Sequence, residues 1–171
     1  MKQITQSIIL VFTCMFLLQA NCQPERKPST VIGKDSIDAK NALLRYYECE
    51  ECTDGELEAV VKYGDNVVPS LSLTMQQGVS PVLKSAHEQY LRDTYRQLSE
   101  YAKTHPENVL KSTEAEYVAM YLERYDNQHR IRAIEALARI GTDLAKKELN
   151  SFAKEGKPNA AVADALKRAG I

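Results

Sequence analysis

One short pattern occurs twice near the end of the chain. Ile134-Glu-Ala-Leu-Ala-Arg-Ile-Gly141 aligns with Ala163-Asp-Ala-Leu-Lys-Arg-Ala-Gly170 at an offset of 29 residues. Ala, Leu, Arg and Gly coincide, and Glu is matched by Asp. A looser third copy is Ala59-Val-Val-Lys-Tyr-Gly64, followed by Asp-Asn-Val-Val-Pro-Ser-Leu71. Alanine lets a neighbouring helix approach closely, leucine fills the groove beside it, and glycine supplies the left-handed turn that ends a helix. A unit of this size cannot bury its apolar ridge alone, so the repeat demands stacked helices.

Helical spacing dominates from Ile37 onward, with no sustained two-residue alternation. Ala42, Leu43, Tyr46 and Tyr47 make one amphipathic face. Thr53 with Glu56, and Thr113 with Glu116, have capping-box spacing. Gly64 and Gly78 are read as helix ends, with Asn66 as the cap of the helix between them and Pro69 in its first turn. Ser80-Pro81 is a start signal for a helix reaching about Lys103, with Val82, Ala86, Tyr90, Leu98 and Ala102 along one stripe. His105-Pro106 breaks it. A helix through Val118, Leu122 and Tyr125 follows, and Asn127 is read as the cap of a separate helix over 130–140. Thr142 caps the segment 143–154, and Asn159 caps a last helix ending at Gly170. The count is about eight helices.

RIRAIEALARIGTDLAKKEL (Arg130–Leu149) resembles a HEAT-like repeat of the short type also found in phycobilisome-lyase-like proteins. GELEAVVKYGDNVVPSL (Gly55–Leu71) is similar, with one residue fewer between Gly64 and Leu71. The resemblance covers about half of the chain beyond the tether. It implies an all-α fold, a short right-handed α-solenoid of stacked helical hairpins, and protein–protein contact along the repeat surface. The Ser80 to Lys103 segment is longer than a standard repeat helix, so an irregular helical bundle is the alternative architecture.

The N-terminus reads as an address. After Lys2, the apolar run Ile8 to Leu18 is eleven residues long. A membrane span needs about twenty and a secretory core about seven to fifteen. Residues 1–21 are therefore expected to be a signal peptide. Leu18-Gln-Ala-Asn-Cys22 resembles a bacterial lipobox, which makes Cys22 a candidate lipidation site, while cleavage after Ala20 is the competing reading. Residues 22–36, rich in Pro, Ser and charge, read as a flexible tether, and 37–171 as the folded domain. The expected location is periplasmic or membrane-anchored, with secretion the lesser alternative.

Twenty-two basic and twenty-three acidic residues leave a net charge of −1. A nucleic-acid or anionic-membrane binder carries a basic excess, so neither class is expected, and membrane contact is left to the N-terminal lipid. Cys49-Glu-Glu-Cys52 is the one motif with reactive potential. Glu48, Glu50, Glu51 and Asp54 surround it, which disfavours thiolate and favours a structural disulfide over redox exchange or metal binding. His87, His105 and His129 are scattered and are read as surface residues, so no metal ligand set and no cofactor is expected. No GxGxxG, GxxxxGK[ST] or GxSxG pattern occurs, and no catalytic residue is assigned.

Tyr117, Tyr121 and Tyr125 lie four apart on one helix face. Nine Tyr against three Phe make them a candidate binding surface, with packing at the core border as the alternative. The functional expectation is a non-catalytic interaction or scaffold module of the cell envelope, with a protein or peptide partner. The rival expectations are an envelope thiol–disulfide oxidoreductase using Cys49 and Cys52, and a structural or immunity-type lipoprotein.

Overall fold

The computed structural model describes residues 34–171. Over these the chain is all-α, with seven α-helices and two short 3-10 turns. The helices are α1 (Lys34–Glu48), α2 (Asp54–Val61), α3 (Val68–Gln77), α4 (Pro81–Thr104), α5 (Glu114–Ile140), α6 (Asp143–Glu155) and α7 (Ala160–Arg168). The signal peptide, Cys22 and the tether up to residue 33 lie outside the described residues, and α1 begins at Lys34, inside the segment expected to be tether. Among the described residues no helix is long and apolar enough to cross a membrane.

Side-chain chemistry sets most helix starts. Both capping boxes form: Thr53 and Thr113 accept at the first turn while Glu56 and Glu116 reach back to the cap amides. Ser80, Thr142 and Asn159 accept from the amides of Leu83, Ala145 and Val162. Asn66 does not cap α3. It sits in the 3-10 turn Gly64–Asn66, and Val67 takes the cap position with no side-chain bond. Val67 and Val68 are both buried, so apolar anchoring replaces capping there.

The expected break at Asn127 is absent. Residues 114–140 form one 27-residue helix, which reduces the expected eight helices to seven. Neither Pro nor Gly occurs in this stretch, and a single Asn costs too little to interrupt a helix packed on several sides. Helix α5 touches all six of the others and forms the axis of the domain. Ile134 and Leu137 from α5 pack with Val60, Leu71 and Met75 from α2 and α3, Leu149 from α6, Leu166 from α7, and Leu43 and Tyr46 from α1. Each such side chain contributes about 1.5–3 kcal/mol on burial.

The two aligned segments share burial at some positions and differ at others: Ile134 is buried where Ala163 is half-buried. Ala136 and Ala165 are buried, as are Leu137 and Leu166. Gly141 and Gly170 both take left-handed φ, +65° and +79°, and Gly64 in the third copy does the same at +52°. Arg139 is exposed and pairs with Glu58 at 2.7 Å, and Arg168 reaches Glu135 at 3.9 Å.

Helix α4 departs from the sequence reading. Val82, Tyr90 and Leu98, read as members of one apolar stripe, are 79%, 63% and 38% exposed, and Leu91, outside that stripe, is the buried residue of the helix. The cause is geometric: α4 packs substantially against α5 and no other long helix, so only one side of it meets protein. The apolar arc is wider than that contact and continues into solvent.

Candidate functional site

The three tyrosines of α5 are divided by the fold. Tyr117 and Tyr121 stay together, ring centroids 4.5 Å apart, and Tyr95 of α4 lies 5.5 Å from Tyr117. Tyr95 is held by its hydroxyl, which donates to the carbonyl of Ser112 at 2.7 Å. Partial burial raises the Tyr117 phenol above its ordinary range, and the neighbouring phenols Tyr121 and Tyr90 add to that. Tyr90, exposed on the adjoining α4, lies 5.8 Å from the His87 ring and within electrostatic reach of Tyr117. Leu83, Leu98 and Tyr101 are exposed on α4, and Met120 on α5. The spacing rule located the α5 tyrosines, but it could not reach Tyr90, which comes within reach of Tyr117 only when α4 folds back on α5.

Tyr125 leaves the trio. Its hydroxyl donates to Glu48 Oε1 at 2.8 Å, and its ring stacks on His87 at 3.8 Å. Burial first, then the adjacent Glu48 carboxylate, raises its phenol far above the usual value. Its contacts are intramolecular, and it serves the fold rather than the exposed patch.

His129 is also corrected. It is 3% exposed, not a surface residue. One ring nitrogen lies 3.0 Å from the Tyr125 carbonyl and the other 3.3 Å from Glu48 Oε1. Tyr47 stacks on it at 5.1 Å, and burial pushes the Tyr47 phenol up to about 12. The rings of Tyr47, His129, Tyr125 and His87 therefore form a continuous row joining α1, α5 and α4. Partial burial lowers the His87 imidazole below its ordinary range, opposed by Glu48. His105 closes α4 and stacks on Tyr101 at 3.9 Å.

Cys49 and Cys52 form a disulfide, Cα to Cα 5.3 Å. It closes the turn between α1 and α2, immediately before the Thr53 cap. Buried Arg132 donates to the carbonyls of Tyr47 and Cys49, the latter at 2.7 Å, and Tyr46 donates to the carbonyl of Arg132 at 3.3 Å. The guanidinium thus satisfies carbonyls that the end of α1 leaves open. Spacing gave no hint of this role for Arg132.

A cleft of about 660 Å³ lies between α5 and the α6–α7 turn. Leu122, Phe152 and Val162 line it together with Lys84, Glu123 and Lys157. On its wall Arg130 pairs with Asp126 at 2.8 Å and donates to the carbonyls of Met75 and Gln76 at 3.0 and 2.7 Å. Asp126 accepts from the Val79 amide at 2.9 Å. Burial works to raise the Asp126 carboxyl, but the bonds from Arg130 and Val79 outweigh it and hold the group below the usual range. The pair fastens the α3–α4 corner. Among the described residues no group of three or more His, Cys, Asp or Glu side chains is gathered to hold a metal.

Neither a protein-family model, nor a curated protein, nor a solved structure matches this chain.

Proposed function

We propose that the chain is a non-catalytic protein-binding module of the cell envelope, and that it binds through the tyrosine patch on the α4–α5 hairpin. The observation that carries this reading is the exposure of Tyr90, Val82 and Tyr101 on a helix that packs along one side only, against the α5 segment bearing Tyr117 and Tyr121. Tyrosine suits such a surface because it offers large, rigid contact area at small entropic cost, with a hydroxyl for the wet rim. The balanced charge fits a partner recognised by shape and apolar contact more than by long-range steering.

The proposed architecture is a short HEAT-like array, supported by the matching environments of Ala136 and Ala165 and of Leu137 and Leu166. It departs from a strictly linear solenoid, in which each unit touches only its neighbours, because α5 contacts every other helix. An exported location, periplasmic or lipid-anchored at Cys22, rests on the N-terminal apolar run and its lipobox-like end. Labelled-palmitate incorporation lost in Cys22→Ser supports the anchor, and no incorporation in the unaltered chain removes it.

The binding test is crosslinking in native envelope extract followed by peptide mapping. Crosslinks are expected on α4 and the first half of α5, with the yield falling at least about tenfold in Tyr117→Ala/Tyr121→Ala. Crosslinks that map elsewhere, or that are unchanged in the double variant, contradict the reading.

A further inference from the structure

One stripe of α4 is spaced with two-fold symmetry. Exposed Leu83, Ala86, Tyr90, Leu98 and Tyr101, with half-buried Thr94 among them, follow one another at intervals of 3, 4, 4, 4 and 3 residues, the same in both directions, and exposed Val82 lies to one side of the stripe. These intervals keep all six on one side of the helix. In an antiparallel pair centred level with Arg92, Leu83 of one helix meets Tyr101 of the other, Ala86 meets Leu98, and Tyr90 meets Thr94. At the two inner positions a bulky side chain faces a small one, which lets helix axes approach to roughly 8–10 Å. A second copy supplies that match automatically, because each pair then occurs twice.

Charge and area agree. The ionised groups nearest the seam are already paired within the helix, Asp93 with Arg96 at 2.9 Å and Glu100 with Lys103 at 2.6 Å, so a second copy meets no net charge there. From their fractional exposures, the exposed apolar side chains of α4 together with Met120 offer on the order of 600 Å² per copy. Face-to-face pairing buries on the order of 1,200 Å², the lower end of what a specific interface requires.

We propose that this face is covered by a second copy of the chain, the two α4 helices packing antiparallel about a two-fold axis level with Arg92. The proposal deepens the protein-binding reading by naming the partner, and it rests on that reading's assignment of the surface.

The test uses the full chain. Sedimentation equilibrium at micromolar concentration is expected to give twice the chain mass, and Tyr90→Lys to weaken association roughly tenfold or more without loss of helical circular dichroism. Tyr90 is exposed, so this change leaves the core intact. In a Cys14→Ser/Cys22→Ser background, Ala86→Cys with Leu98→Cys is expected to oxidise to a covalent dimer. Within one helix these positions are about 18 Å apart, well beyond disulfide reach, so that product forms only between copies. Ala86→Cys with Lys103→Cys is the negative control. A chain that stays monomeric throughout overturns the proposal. If that monomer still captures an envelope protein through Tyr117 and Tyr121, the binding reading stands and only the choice of partner fails. A dimer indifferent to Tyr90→Lys and lacking the 86–98 crosslink overturns it as well, since its interface then lies elsewhere.

Discussion

Gly78 leaves α3 with φ +73° and ψ −148°, a conformation that side-chain-bearing residues avoid. A Cβ there would run into the Asp126 carboxylate, which is already held by Arg130 and the Val79 amide. Gly78→Ala combines backbone strain with displacement of that pair, and about 2–4 kcal/mol of stability is expected to be lost in urea unfolding. His87 sets a pH dependence. Its folded-state affinity for protons is lowered, so below its ordinary value of 6.5 the unfolded chain binds more protons than the folded one. His87 therefore costs stability progressively as pH falls through 6.5 toward the folded-state value, and the cost is constant below that. The Tm loss on going from pH 7.5 to pH 5.5 is expected to be smaller in His87→Asn than in the unaltered chain. An equal loss in both contradicts the assignment. Neither effect was legible in the sequence, because Asp126 reaches Gly78, and Tyr125 covers His87, only through the fold.

At the scale of elements, the helix starts were the most legible feature. A cap acts within three or four residues, so Thr53, Ser80, Thr113, Thr142 and Asn159 could be read directly and each makes its bond. Thr113→Ala removes one partner of a complete capping box, and about 1 kcal/mol is expected to be lost in thermal unfolding. Asn127 and Asn66 show where local reasoning stops. The first is carried through α5 by packing on both sides of it, and the second is displaced by the burial of Val67 and Val68. The disulfide spans three residues, so its loop entropy is small. Replacing both Cys49 and Cys52 with Ser is expected to cost no more than about 2 kcal/mol, with the end of α1 still held to α5 by the Arg132 bonds to the Tyr47 and Cys49 carbonyls.

Across the whole molecule, one helix organises the fold and one helix is left half covered. The repeat pattern pointed to Ala136, Leu137, Ala165 and Leu166 as buried, and they are. It could not reveal that α4 has only α5 to pack against, since helical periodicity marks an apolar arc without saying how much of it finds a partner. The second half of α5 sits in the core while α4 contributes Leu91 alone. Amide hydrogen exchange is therefore expected to be faster along α4 than over residues 129–140, by a factor of roughly ten or more. The most direct measurement of the central claim is tyrosine-selective footprinting of the chain in native envelope extract against the chain diluted alone. Tyr90, Tyr117 and Tyr121 are expected to gain protection in the extract while half-buried Tyr63, outside the patch, does not change. Equal labelling of all three in both conditions would contradict the account.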